Sequence, residues 1–320
     1  MCKRTLVNFP PPPTLKGGLR IITSREFSTI ISGYDFLEAP RWHDGRLWLS
    51  DFYSHQVIAA GMDGSVEKIA TVEQQPSGLG WLPDGRLLIV SMLGRKVLRR
   101  EPDGSLVVHA DLSGIAGGSC NDMVVDAKGR AYVGNFGFDL MGGAPLKTAK
   151  LARVDLDGKV SVAAEDLFFP NAAMITPDSR TLIVNETFGN RISAFDIKAD
   201  GTLGPRRDWA CFGSLPQGCE LAEVFPQAKV APDGGAMDAE GAVWIADAIG
   251  NRLLRVAEGG RVLDEISTGS QGAYACALGG PDRRTLFICV APDFQEHLRK
   301  GAHEAAIWAL KVEVPGAGLP

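Results

Sequence analysis

The feature that most constrains this chain is a turn signature that returns six times. H-D-G-R (43–46) recurs as P-D-G-R (83–86), D-A-K-G-R (126–130), P-D-S-R (177–180), D-A-E-G (238–241) and P-D-R-R (281–284). Aspartate, glycine and proline in such clusters are turn formers, each for its own backbone or side-chain reason. Every copy leads into a short run of β-forming residues: L-W-L-S-D, L-L-I-V-S, A-Y-V-G-N, T-L-I-V-N, A-V-W-I-A-D and T-L-F-I-C-V. A third run usually follows. Then a second turn (M-D-G-S, P-D-G-S, L-D-G-K, K-A-D-G or E-G-G-R) leads into a fourth. Four short strands about every 40 to 60 residues are the signature of propeller blades. The chain therefore reads as all-β, a six-bladed β-propeller of four-stranded antiparallel blades.

The last repeat ends on A-A-I-W-A-L-K-V-E-V and lacks a fourth strand. E-F-S-T-I-I-S (26–32) stands where a fourth strand precedes every other blade. It is expected to pair with the last blade and close the ring, leaving no open edge there. Residues 1–24 read as an N-terminal arm with a polyproline stretch, Pro10 to Pro13, and residues 25–320 as one propeller domain. The best helix candidate, around Phe294 to Ala306, falls between two strands of the last repeat.

Composition excludes several classes. The 320 residues are 45% hydrophobic and 22% charged, with net charge -5. Without a basic cluster, nucleic acid is not an expected partner. No apolar run approaches the roughly 18 residues of a membrane span. The segment M-C-K-R-T-L-V-N-F has no apolar h-region, so it does not read as a secretory signal. The six cysteines are scattered with no C-x-x-C pair. They read as free buried thiols in a reducing, cytoplasmic location, although Cys211 and Cys219 could approach each other in a loop.

Aligned on their first turns, the repeats place oxygen-bearing residues at one register: Glu38, Ser77, Asn121, Asn171 and Asp233 in blades one to five, and Ala275 or its neighbour Tyr274 in blade six. The first strand of a blade lines the central channel, so these positions converge on the axis. Two carboxylates and two amides there, with no Lys or Arg at an equivalent position, call for a cation, because bare buried carboxylates are costly. The donors are all hard oxygens, which suits one Ca²⁺; Mn²⁺ and Mg²⁺ are alternatives, and Zn²⁺ would be atypical. Nothing points to an organic cofactor. Asp122, Asp126, Asp178 and Asp238 read as turn residues. A serine hydrolase is disfavoured: G-x-S-x-G is absent, and His43, His55, His109, His297 and His303 show no triad spacing. Of these, His297 could reach the channel from the last blade.

E-A-P-R-W (38–42) resembles the E-G-P-x-W motif of the senescence-marker-protein/gluconolactonase/luciferin-regenerating-enzyme-like family. So, in the same order, do C-N-D-M-V-V-D-A-K-G-R, P-N-A-A-M-I-T-P-D and P-D-G-G-A-M-D-A-E-G, and the likeness runs from about Phe27 to Val314. That family includes regucalcin-like lactonases and is related to diisopropylfluorophosphatase. The resemblance implies one divalent ion held by Glu38, Asn121, Asn171 and Asp233, and a lactone-opening hydrolase with Asp233 as base or nucleophile. Two positions depart from the pattern. Ser119 stands where the sugar-lactone enzymes carry an arginine that contacts sugar hydroxyls, and Ala172 replaces the glycine of P-N-G. Trp42, Phe52, Tyr53, Met92, Phe136, Phe138, Phe168, Phe169 and Phe188 all fall near expected blade-top loops. The expected substrate is therefore a small hydrophobic or aromatic lactone or ester rather than a sugar lactone. Trp42, Ser77, Met92, Ser119, Phe136 and Phe188 are the candidate contacts, in a monomer or dimer. The rival readings are a phosphotriesterase-type hydrolase on the same metal site and a non-catalytic calcium-binding or protein-interaction propeller.

Overall fold

The structure, a computed structural model, describes residues 25–318; the polyproline arm lies outside the described residues. Six four-stranded antiparallel sheets follow one another around an axis, each running from an inner to an outer strand in chain order. The inner strands are Leu37–His43, Pro76–Trp81, Cys120–Val125, Pro170–Ile175, Pro232–Met237 and Gly272–Gly279. Blade six takes its outer strand from the other end of the chain. Ser28–Tyr34 pairs with Ala305–Lys311, with Ser28 opposite Ala309 and Thr29 opposite Trp308. The strand expected before blade one thus closes the ring, and backbone hydrogen bonds tie the two ends of the propeller together.

Burial explains the apolar runs. The second strands lie inside the blade stack and are covered on both faces, so Leu286, Phe287, Ile288 and Cys289 are all buried. Alternation survives poorly under such burial, and continuous apolar runs appear instead. The outer strand Val66–Thr71 is mostly exposed and carries charge.

The turn signature works through the aspartate side chain, which accepts the backbone N–H two residues on. Asp84 takes that of Arg86 at 3.1 Å, Asp126 that of Lys128 at 2.9 Å, Asp178 that of Arg180 at 3.0 Å and Asp238 that of Glu240 at 2.9 Å. These are Asx turns, in which the side chain substitutes for a backbone acceptor. Asp122 departs from this expectation: it lies buried in an inner strand and pairs with Arg41. The segment around Phe294 to Ala306 holds a single helical turn, Glu296–Arg299. Among the described cysteines, Cys120, Cys276 and Cys289 are buried free thiols, whereas Cys211 and Cys219 are free but exposed.

Two devices position the channel ends of the blades, the first in all six and the second in three. The first is a bulge. Pairing of the inner strand with its neighbour shifts between Glu38 and Arg41, Pro76 and Leu79, Cys120 and Met123, Pro170 and Ala173, Pro232 and Gly235, and Ala273 and Ala275. A bulge leaves a residue out of the ladder and re-aims its side chain. The second is a polar clamp at the end of the second strand. Asp51 accepts the N–H of Phe36 at 3.0 Å, Glu186 that of Phe168 at 2.8 Å and Asp247 that of Ala231 at 2.9 Å. Arg191 and Arg252 neutralise Glu186 and Asp247 at 2.7 and 2.9 Å. Each clamp fixes the backbone entering an inner strand, just before the register that faces the axis.

Candidate active site

The bulges bring one residue per blade to the same height. Matching the register of each inner strand to its second strand makes Glu38, Ser77, Asn121, Asn171, Asp233 and Tyr274 equivalent. Blade six therefore contributes Tyr274, and Ala275 returns to the ladder opposite Cys289. Glu38, Asn121, Asn171, Asp233 and Tyr274 line a cavity of about 650 Å³, mouth included, at one end of the channel. Ser77 stands behind that lining, and its hydroxyl donates to Asn121 Oδ1 at 3.1 Å.

Hydrogen bonds fix the ring. Asn171 Nδ2 donates to Thr187 Oγ1 at 3.1 Å and also to Asp233 Oδ1. Thr187 in turn donates to the carbonyl of Pro232 at 3.0 Å, so its oxygen is an acceptor toward Asn171. That chain of donors settles which way the amide faces: its nitrogen is engaged, and its oxygen is left for a ligand. Asn185 Nδ2 holds the Asp233 carbonyl at 2.6 Å, and Ala39 N–H donates to Glu38 Oε2 at 3.0 Å.

Charge in the channel is unevenly matched. Arg41 bonds Asp122 Oδ1 at 2.6 Å and the carbonyls of Met123 and Pro40 at 2.7 and 3.0 Å, so its guanidinium is committed. Among the described residues Glu38 and Asp233 have no basic hydrogen-bond partner. Burial pushes the Glu38 carboxyl up to about 8, with the Asp122 charge adding to it. Burial, and then the charge of Glu38, raise Asp233 well above the usual carboxylate range. Near neutral pH a cation between them would favour ionisation of both. Among the described residues no three His, Cys, Asp or Glu side chains gather into a metal site. The donor set here is two carboxylates and two amide oxygens, and that set fits a hard divalent ion.

Aromatic side chains wall the cavity: Phe36, Phe52, Tyr53, Phe136, Phe169, Phe188, Phe225, Tyr274 and Phe294. Phe136 and Phe169 meet edge to face at 4.4 Å, and Phe188 meets Phe225 at 5.5 Å. No Lys, Arg or His is among the described residues that line it.

The other sequence candidates are distributed differently. Phe136 and Phe188 line the wall as expected of mouth residues. Trp42 does not: four residues beyond Glu38 on an extended strand, it is about 13 Å farther along the channel. It lines a cavity toward the opposite end and stacks on Phe287 at 5.5 Å. Met92 is buried in the core cluster behind the wall, and half-buried Ser119 meets Phe136 through its carbonyl at 2.9 Å; neither lines the cavity. Phe138 also packs in that cluster, whereas Phe168 faces the Arg191 guanidinium at 5.5 Å. His297 is exposed and does not line the cavity. Phe225 and Phe294 escaped sequence reasoning because they sit on irregular segments outside the repeat, and Phe36 because it lies just before its inner strand, where the other blades carry varied residues. The clamps left one visible trace, the paired strings E-T-F-G-N-R and D-A-I-G-N-R.

A family model described as the SMP-30/gluconolactonase/LRE-like region matches residues 36–292. The 6-deoxy-6-sulfogluconolactonase of Pseudomonas putida is 30% identical over 204 residues, which are 62% of this chain and 64% of that protein. Pentonolactonase XacC of Haloferax volcanii is 23% identical over 266 residues, 79% of this chain and 81% of the relative. Among solved structures, a calcium-binding regucalcin from Agrobacterium tumefaciens superposes with a TM-score of 0.74 at 20% identity. That likeness covers 93% of this chain and 97% of the other, and it bears on the fold alone. No described helix is long and apolar enough to cross a membrane.

Proposed function

This chain belongs to the SMP-30/gluconolactonase/LRE-like family, and on that premise we propose that it is a lactonase, a divalent-cation-dependent hydrolase that opens a hydrophobic or aromatic lactone. The observation that carries this reading is the pair of carboxylates, half-buried Glu38 and buried Asp233, with no Lys, Arg or His among the described residues that line their aromatic cavity. Glu38, Asn121, Asn171 and Asp233 would hold the ion, most simply Ca²⁺. Bound there, it would polarise the ester carbonyl and favour the charge that develops on its oxygen.

The chain's own residues supply the rest. The aromatic wall takes the apolar body of the substrate and keeps bulk water from the floor. Thr187 holds the Asn171 amide in one orientation. Asp233 either removes a proton from the attacking water or attacks the acyl carbon itself. Both relatives bear sugar-lactone names. A sugar ring needs polar partners for its hydroxyls, and this wall offers few of them. Ser119 in place of the family's arginine removes a planar fork of donors as well.

The test is a panel of lactones assayed with purified protein and excess Ca²⁺. A benzo-fused or alkyl δ-lactone is expected to exceed gluconolactone in kcat/KM by about tenfold or more, the scale of one to two apolar contacts. The reverse order would overturn the substrate assignment, and inertness toward every lactone would overturn the activity.

A further inference from the structure

Tyr274 is the one cavity-lining member of the axial ring that the cation site does not use. Its register matches that of Glu38, Asn121, Asn171 and Asp233, and it sits on the blade between those that carry Asp233 and Glu38. The side chain is 5% exposed, and its ring packs against Phe36 at 4.9 Å and Phe294 at 6.4 Å. The phenol hydroxyl has no hydrogen-bond partner among the described residues. The other tyrosine of the wall is different: Tyr53 donates to the carbonyl of Phe294 at 2.6 Å and so anchors a loop.

The Tyr274 oxygen is not among the fully enclosed unpaired atoms, so it is open to cavity water and equally to a ligand oxygen. A glycine makes room for it. Gly272, at the start of the same strand, would place a Cβ 2.3 Å from the Tyr274 oxygen, so any side chain there would displace the phenol. Tyr274 itself lines the cavity that holds the proposed substrate.

We infer that Tyr274 contacts the substrate and donates a hydrogen bond to the leaving oxygen of the scissile ester. The assignment rests on the ester-hydrolase reading above. The phenol keeps its proton throughout, and the departing oxygen takes its own from the attacking water, by way of Asp233 or the solvent. The phenol hydrogen bond strengthens as the acyl C–O bond breaks and the electron pair of that bond gathers on the leaving oxygen. Burial, then the charges of Asp293, Asp233 and Glu38, hold the hydroxyl above the usual phenol range, which is consistent with a donor that stays protonated.

The experiment is Tyr274→Phe, assayed at saturating Ca²⁺ on esters and lactones whose leaving groups range from nitrophenols to alkyl alcohols. The expected loss in kcat/KM is about 10- to 100-fold for alkyl leaving groups, falling to about threefold or less for nitrophenols. A merely structural role would lower all substrates alike, so a loss independent of the leaving group, or no loss, overturns the assignment. Gly272→Ala, which crowds the hydroxyl without removing it, should reproduce the same dependence; a flat profile there counts against the proposal too. Wild-type protein inert toward the whole series would instead sink the hydrolase reading, a result distinct from an active wild type with an equally active Tyr274→Phe.

Discussion

Glu38→Gln should stabilise the metal-free protein while impairing the metal-bound one. In the cation-free fold Glu38 keeps its proton up to about pH 8, against an ordinary value of 4.5. The unfolded chain releases that proton near the ordinary value, so folding takes up a proton between the two. A carboxyl raised in this direction contributes stability at low pH and loses it as pH rises toward 8. At pH 7 the gap from 4.5 corresponds to about 3 kcal/mol at roughly 1.4 kcal/mol per pH unit. That figure is a ceiling, because the half-buried carboxyl touches cavity water and shares its position with Asp233. Glutamine has no proton to release, so Glu38→Gln in chelator should gain about 1–3 kcal/mol at pH 7. For a chain of 320 residues that is about 1.5–4.5 °C in Tm. The assay is calorimetric melting in excess chelator at pH 5, 7 and 8, repeated with saturating Ca²⁺. The wild type should lose stability from pH 5 to 8 in chelator, the variant should lose less, and Ca²⁺ should raise the wild type more. A Glu38→Gln protein that melts at or below the wild type in chelator at every pH would refute the argument that this carboxylate is held against its own repulsion and desolvation.

Two further outcomes follow from the same geometry. Asp233→Asn keeps an oxygen donor and nearly the same volume, but removes the candidate base or nucleophile; at saturating Ca²⁺ its kcat should fall at least about 10²-fold, and a retained kcat would reduce Asp233 to a ligand. Ala39 sits at φ 50° beside the Glu38 carboxylate, in a region that favours glycine; Ala39→Gly should gain about 1 kcal/mol in denaturant unfolding with little change in activity, and a loss of stability would show that the Ala39 methyl group contributes packing worth more than the strain.

Much of the architecture was legible because its signals are local. An Asx turn needs only an aspartate and the next two residues, so Asp84, Asp126, Asp178 and Asp238 could be read in place. The strand before blade one was legible as a missing partner for the last blade. Where contacts join distant segments, the sequence was silent. Asp122 looks like another turn aspartate until Arg41, 81 residues away, is seen to pair with it. The choice between Tyr274 and Ala275 depends on where pairing with the neighbouring strand slips, which the inner strand alone does not encode. Trp42, expected near the mouth, lies elsewhere because the strand runs four residues beyond Glu38 and carries its far end to another cavity. The aromatic wall was half legible: Phe136 and Phe188 follow second strands of the repeat, whereas Phe225 and Phe294 sit on insertions around one-turn helices.

The central claim is that the unmatched carboxylates exist to hold a divalent ion on which ester hydrolysis depends. The direct measurement is a calorimetric Ca²⁺ titration of chelator-stripped protein, with lactone hydrolysis followed on the same samples. The account predicts one site per chain, and hydrolysis that rises from background in step with its occupancy and is lost again on chelation. Full activity in protein shown by elemental analysis to be metal-free would contradict it.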